Sequence, residues 1–170
     1  ISRIKYGQDI RDFGSGNGGS TNMLRTYGKK MGALTLLCDM LKAAVACTVG
    51  SLCLGLTVGG YMAAFFCMLG HMFPVYYKFK GGKGVATLLG AGTGIYAPIL
   101  LLCFGVWCLV FAIWHYVSLA SMVAGCCYPF FVTIYMFMSY ETAAPLKSIP
   151  FIVFSWLVAV MLVWTHRKNI

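Results

Sequence analysis

The sequence predicts an all-α fold, a polytopic integral membrane helix bundle. Of its 170 residues, 60% are hydrophobic and only 10% are charged, against about 25% charged in a soluble domain. Its mean hydropathy is +0.81. Apolar runs of bilayer-spanning length alternate with short polar segments, and the polar segments are basic. The formal charge is +9, from 13 Lys and Arg against 4 Asp and Glu.

Taken in order, residues 1–30 are polar and carry Arg3, Lys5, Arg11, Arg25, Lys29 and Lys30. The stretch from Met31 to Tyr77 is too long for one span of about 20 residues. It predicts two helices, roughly 31–50 and 58–77, turning between Gly50-Ser51 and Gly59-Gly60. A basic glycine-rich segment, YKFKGGKG, follows. The uncharged segment 85–114 reads either as one tilted span or as two short ones broken at Pro98, because proline disrupts a helix interior. Charge placement favours two. Eleven of the 13 basic residues lie in 1–30, 78–83 and 167–168, and segments rich in Lys and Arg collect on the cytoplasmic side. That requires an even number of spans between 83 and 167: 85–96, 99–114, 121–140 and 149–165. The chain then has six spans in one membrane-embedded domain over 1–170. It starts at Ile1 with no signal-peptide pattern and is expected to lack its true N-terminus. Asp39 and Lys42 are three residues apart and can meet on one helix face; a structural ion pair or a substrate role is open to them. The eight cysteines sit mostly in apolar runs, with no CxxC and no Cys/His zinc spacing. They are expected to be packing residues, with no metal bound.

Three polar islands could carry chemistry. The first is GSGNGGSTN, residues 14–22, followed by Arg25. Its glycines, Gly16 among them, permit positive φ and close backbone approach, and successive N–H groups can form an anion nest. Ser15, Ser20 and Thr21 add hydroxyls, and Asn17 and Asn22 add amides. Arg25 can grip a phosphate with two hydrogen bonds. A flexible linker is the plainer alternative. The second island is GHMFP, containing His71, followed by KFKGGKGVAT. Gly81, Gly82 and Gly84 surround Lys83, with Lys80 just before. Bare backbone plus ammonium charge suits phosphate, although the Walker A pattern does not fit; a basic loop obeying topology is the alternative. The third comprises Ser118 and Ser121 in YVSLAS and the terminal His166, Arg167, Lys168 and Asn169. Helix-end serines are commonly caps, and the His could be merely solvated; both could instead face a phosphate-rich cleft.

GSGNGGSTN with Arg25, GHMFPVYYKFKGGKGVAT, and HRKNI, in this order between spans, resemble the three motifs of the bacterial acyl-phosphate:glycerol-3-phosphate acyltransferase family (PlsY). The resemblance covers nearly the whole chain, and the second motif is the most specific. It implies a seven-helix membrane fold, so that the first helix of the family precedes this chain. It also implies transfer of an acyl group from acyl phosphate to the 1-hydroxyl of glycerol 3-phosphate, giving lysophosphatidic acid and phosphate at the cytoplasmic face of the bacterial inner membrane. By that resemblance Ser15 and Arg25 hold glycerol 3-phosphate. Gly81, Gly82 and Gly84 bind acyl phosphate, with Lys83 neutralising its charge. Ser121, or in second place Ser118, stands near the reacting groups, and His166 and Asn169 belong to the third motif. Asn17, Ser20, Thr21, Asn22, His71 and Lys80 complete the substrate-binding set. The substrate's own phosphate is thought to take the proton from the attacking hydroxyl. The expected partners are the two substrates and membrane lipids, with no nucleic acid and no cofactor, and the chain is expected to be a monomer.

Two positions depart from the family pattern: His115 stands where an Arg is usual, and Lys168 replaces the acid of the third motif. An HxxxxD acyl-CoA enzyme is disfavoured, because Tyr76 stands five residues after His71 and His166 has too little chain behind it. The alternative from another class is a membrane transporter of an anionic phosphate-containing solute. It would place polar groups at the bilayer midplane, whereas here most charge is grouped at span ends.

Overall fold

The computed structural model describes residues 1–95, 97–139 and 145–169, and among them every regular element is helical. The chain divides into two compact units, Ile1–Ile95 and Tyr96–Ile170. Among the described residues five helices are long and apolar enough to cross a membrane: Lys29–Gly55, Val58–Tyr77, Ala97–Trp114, Val117–Met138 and Ile149–His166. Leu52, Leu101, Phe137 and Met138 are each more than 65% exposed. In water that would be costly, but a bilayer makes such side chains the lipid-facing surface. The sixth predicted span, 85–96, is a helix as expected. At eleven residues and about 1.5 Å per residue, it reaches only about half of the ~30 Å hydrocarbon core.

The first unit contains α1 (Ser2–Tyr6), α2 (Ser20–Tyr27), α3 (Lys29–Gly55), α4 (Tyr61–Met72) and α5 (Val85–Ile95). Helix α3 is its spine and packs against α2, α4 and α5. It runs to Gly55, whose φ of +78° suits glycine. The chain reverses through a wide turn over Leu56–Gly60. This turn lies within the predicted 50–60 region, and Gly50 and Gly59 have a packing role besides. They are where the two helical arms touch: a Cβ on Gly50 would strike the Gly59 carbonyl, and a Cβ on Gly59 would strike the Gly50 carbonyl. Small residues of this kind let membrane helices approach to backbone contact. Gly90 of α5 likewise lies against the Met40 carbonyl of α3. The polar end is closed by Ile10, Met23 and Met31, with Tyr27 packed on them.

The second unit contains α6 (Ala97–Trp114), α7 (Val117–Ser139) and α8 (Pro145–His166). Helix α7 packs on both of its neighbours. Pro98 falls in the first turn of α6, where its missing N–H has no intrahelical partner to lose. Pro129 lies inside α7, and the Thr133 hydroxyl donates to its carbonyl at 2.7 Å. Part of the ETAAPLKS link, residues 141–144, lies outside the described residues. All eight cysteines are free; Cys47 is fully buried and Cys38, Cys53, Cys108 and Cys126 are exposed.

Because α5 meets α3 backbone to side-chain-less backbone, Gly90→Leu should cost roughly 1–3 kcal/mol by overpacking. Thermal unfolding in detergent should show a lowered Tm; an unchanged Tm would mean that the α3–α5 contact is not close.

Candidate active site

Both glycine islands of the first unit lead into helix N-termini. The GSGNGG segment ends at Gly19, the N-cap of α2, which makes no side-chain capping bond. The KGGKG segment ends at Gly84, directly before α5. Backbone N–H groups and the helix dipole make such junctions receptive to anions. Gly14 and Gly16 have φ of +56° and +69°, and Gly84 has +89°. The two islands touch: the Gly18 N–H donates to the Gly81 carbonyl at 3.2 Å.

One side chain shapes the first loop from within. Asn22 is 2% exposed. Its Oδ1 accepts the Ser15 N–H at 3.0 Å. Its Nδ2 shares two hydrogens among the carbonyls of Ile10 at 3.1 Å, Phe13 at 3.0 Å and Asn17 at 3.0 Å. A side chain on Gly14 would strike Asn22 Oδ1. Asn22 is thus committed to holding loop backbone. Ser15 is exposed, and Gly16 is exposed beside it, whereas Ser20 and Thr21 are half-buried in the first turn of α2. Asn17 Oδ1 is buried without a hydrogen-bond partner.

The second loop is fixed by its neighbours. The Gly82 N–H donates to the His71 carbonyl at 3.0 Å. A Cβ on Gly81 would strike the carbonyls of His71 and Met72, and one on Gly82 would strike the His71 ring at Nε2. Thr87 closes the loop by donating to the Gly84 carbonyl at 2.8 Å. Arg25, on α2, lies near enough to Lys83 to act on it. Burial, and then the Arg25 charge, lower the Lys83 ammonium from its ordinary value of 10.5. Among the described residues no carboxylate is paired with Arg25. Two like charges held this close each disfavour the other's charged form.

A cleft of about 450 Å³ opens beside the loops. His71, Lys80, Gly81 and Gly82 are the sequence-predicted residues on its walls, with Gly18 of the first island beside them; Ser15, Arg25 and Lys83 are not on them. Two further walls were not anticipated. Arg11 stacks on the Tyr77 ring, 3.4 Å from its centroid, and reaches the Lys80 carbonyl at 3.4 Å. Asp9 holds Arg11 by Nε at 3.0 Å and binds Arg3 at 2.7 Å. Burial raises the Asp9 carboxyl, but the bonds and charge of Arg11, with Arg3, outweigh it and hold Asp9 below 3.8. No local spacing in the sequence signals a pairing between residues 11 and 77. The other wall is Asp39 and Lys42, whose helical spacing did predict the pair: Nζ to Oδ1 is 2.5 Å.

The remaining candidates belong to the second unit. Ser121 is 3% exposed, donates to the Val117 carbonyl at 2.7 Å and accepts from Trp107 Nε1 at 3.1 Å. Ser118 is half-buried in the first turn of α7; neither serine terminates a helix. His166 is buried, and its Nδ1 lies 2.8 Å from the Leu162 carbonyl. That carbonyl can only accept, so Nδ1 carries a hydrogen. Asn169 is exposed in the terminal turn. His115 has φ of +57° and meets Phe111 edge-to-face.

Asn22→Ala should strip partners from four loop backbone groups, at about 1–3 kcal/mol for each that stays buried. The expected outcome is a lower Tm together with lost anion affinity in the first unit. A variant with wild-type Tm and wild-type affinity for inorganic phosphate would show that the loop does not need the clasp.

The glycerol-3-phosphate acyltransferase family model matches residues 1–170. A Pseudomonas putida (strain F1) protein named glycerol-3-phosphate acyltransferase is 37% identical over 171 residues, covering 100% of this chain and 84% of its own. The crystal structure of PlsY (YgiH), an integral membrane glycerol 3-phosphate acyltransferase, in its glycerol 3-phosphate form, superposes with a TM-score of 0.82 at 33% identity, covering 99% of this chain and 80% of that one. Its lysophosphatidic acid form gives 0.75 at 32% identity, over 91% and 74% of the respective chains. The motifs, the helical membrane fold and the matched length agree, and the chain belongs to the glycerol-3-phosphate acyltransferase family.

Proposed function

We propose that this integral membrane acyltransferase takes its acyl group from an acyl phosphate and delivers it to the 1-hydroxyl of glycerol 3-phosphate. The glycerol oxygen attacks the acyl carbonyl carbon, and the acyl–phosphate C–O bond breaks. Lysophosphatidic acid and inorganic phosphate leave. The departing phosphate takes the hydroxyl proton, so no protein base is required. The observation that carries this reading is the bond between Gly18 and Gly81. It joins two glycine loops, each opening a helix, and so supports two neighbouring sites for phosphate groups. One family substrate, glycerol 3-phosphate, and an acyl phosphate donor would use both.

Ser15 and Arg25 are assigned to glycerol 3-phosphate. Gly81, Gly82 and Gly84 are assigned to the acyl phosphate, with Lys83 and Lys80 neutralising its charge. Catalysis then rests on positioning and on electrostatic stabilisation of the oxyanion and the leaving phosphate. Asn22 is given the role of loop clasp. Gly16, Asn17, Ser20 and Thr21 belong to the same loop and are assigned to substrate binding, and the unpartnered Asn17 Oδ1 is assigned as an acceptor. Ser121, His166 and Asn169 are assigned catalytic roles on their motifs alone. Ser121 would have to release the Val117 carbonyl to reach substrate, and Ser118 is its substitute. The whole chain acts as one catalytic domain, a monomer in the bacterial inner membrane. The basic segments 1–30, 78–83 and 167–168 are assigned to the cytoplasmic side by the charge rule.

Inorganic phosphate release from palmitoyl phosphate should depend on glycerol 3-phosphate, and palmitoyl-CoA should not replace the donor. Arg25→Ala removes charge-assisted bonds worth roughly 1.5–3 kcal/mol and should raise the KM for glycerol 3-phosphate about ten- to hundredfold. Donor use with palmitoyl-CoA but not with palmitoyl phosphate would overturn the reading. A bound phosphate dianion reverses the repulsion that Arg25 imposes, so donor binding should draw a proton onto Lys83. The lowered Lys83 value therefore makes donor affinity full below it and weaker as pH rises through it toward 10.5. The KM for palmitoyl phosphate should climb in that alkaline range, and Lys83→Arg should flatten the climb, since arginine stays charged. An identical climb in Lys83→Arg would assign the proton to another group.

A further inference from the structure

The ion pair of α3 does not end at Lys42. Its Nζ lies 2.5 Å from Asp39 Oδ1 and 2.6 Å from His71 Nδ1, whereas His71 Nδ1 to Asp39 Oδ1 is 3.5 Å. A lysine ammonium has only donors. At 2.6 Å the ring nitrogen must accept, so His71 is neutral at Nδ1 and carries its hydrogen on Nε2. The same ring presses Nε2 against Gly82, and the His71 carbonyl receives the Gly82 N–H. His71 thus touches the glycine loop through both ring and backbone, on the wall of the cleft that Gly81, Gly82 and Lys80 also line. Asp39 is buried, with side-chain exposure of 11%, and its Oδ2 has no hydrogen-bond partner.

The pair is nearly neutral as a unit, so it adds little counter-charge for an anion. A partly buried ion pair is also weak evidence for stability. What it does supply is direction. We propose that Asp39 and Lys42 are positioning residues for the acyl-transfer reaction: Asp39 holds the Lys42 ammonium on His71 Nδ1, which fixes His71 as an Nε2–H donor for the phosphate seated on the Gly81–Gly82 loop. This rests on the assignment of the acyl phosphate to that loop. The hydrogen bond from Nε2 is the only one the chain's imidazole can give once Lys42 occupies Nδ1. Losing Lys42 frees Nδ1 to carry the proton instead, which turns Nε2 into an acceptor facing a phosphate oxygen.

The test uses the intact chain in nanodiscs. With three histidines in the sequence, 15N-histidine spectra of wild type and His71→Gln identify the His71 ring. Wild type should show His71 as the Nε2–H tautomer, with Nε2 shifting when inorganic phosphate is added; Lys42→Met should lose both features. In kinetics, Lys42→Met should raise the KM for palmitoyl phosphate about tenfold and leave the KM for glycerol 3-phosphate within about twofold. Lys42→Arg should restore most of the loss. Lys42→Met placed on His71→Gln should add nothing, because the lysine acts through the imidazole. An Nδ1–H tautomer in wild type overturns the proposal whether or not any variant folds. So does additivity of the two substitutions, which would make Lys42 a direct ligand. Failure of wild type to turn over palmitoyl phosphate, with the Nε2–H tautomer and its phosphate shift intact, would overturn the donor assignment and leave the tautomer relay standing.

Discussion

Everything in the first unit depends on two peptide backbones approaching each other at Gly18 and Gly81. A membrane chain with few charged residues must hold phosphate without importing many charges into a low-dielectric setting, where each unpaired one is costly. Backbone N–H groups are the cheapest donors available, provided that no side chain stands in front of them. Gly81 and Gly82 have no room for a Cβ, because the His71 backbone and ring already occupy it. The absence of side chains therefore serves two ends. It lets the loop seat against α4, and it leaves the loop's outer face bare.

The charges are placed with similar economy. Where a cation needs to be fixed rather than offered, it has an acid: Asp9 for Arg3 and Arg11, and Asp39 for Lys42. Arg25 has no such partner among the described residues and instead depresses Lys83. Asn22 does by neutral hydrogen bonding what a buried ion pair could do only with a desolvation cost.

Much of this was legible in the residues. The helical membrane class followed from composition. The Asp39–Lys42 pair followed from i,i+3 spacing. The glycine islands announced themselves as loops because nothing else tolerates GSGNGG or KGGKG. What could not be read was long-range. The turn was expected between Gly50 and Gly60 and lies there, but glycine marks both turns and close helix contacts, and only the packing of Gly50 on Gly59 shows the second role. Asn22 looked like a ligand residue, but its partners at Ile10, Phe13, Ser15 and Asn17 exist only once the loop has closed around it. Arg11 on Tyr77, and His71 on Lys42, join residues with no periodic relation. The sixth span was placed correctly as a helix, yet eleven residues cannot cross a bilayer unaided.

The most direct test of the docked-loop account is equilibrium binding of glycerol 3-phosphate and of a non-reactive alkyl phosphonate mimic of the acyl phosphate, to wild type and to Gly81→Ala, in detergent at fixed salt. The account predicts that wild type binds both together and that Gly81→Ala weakens both, because displacing Gly81 also releases the Gly18 loop. Loss of phosphonate affinity alone, with glycerol 3-phosphate bound as in wild type, would contradict it and make the two loops independent.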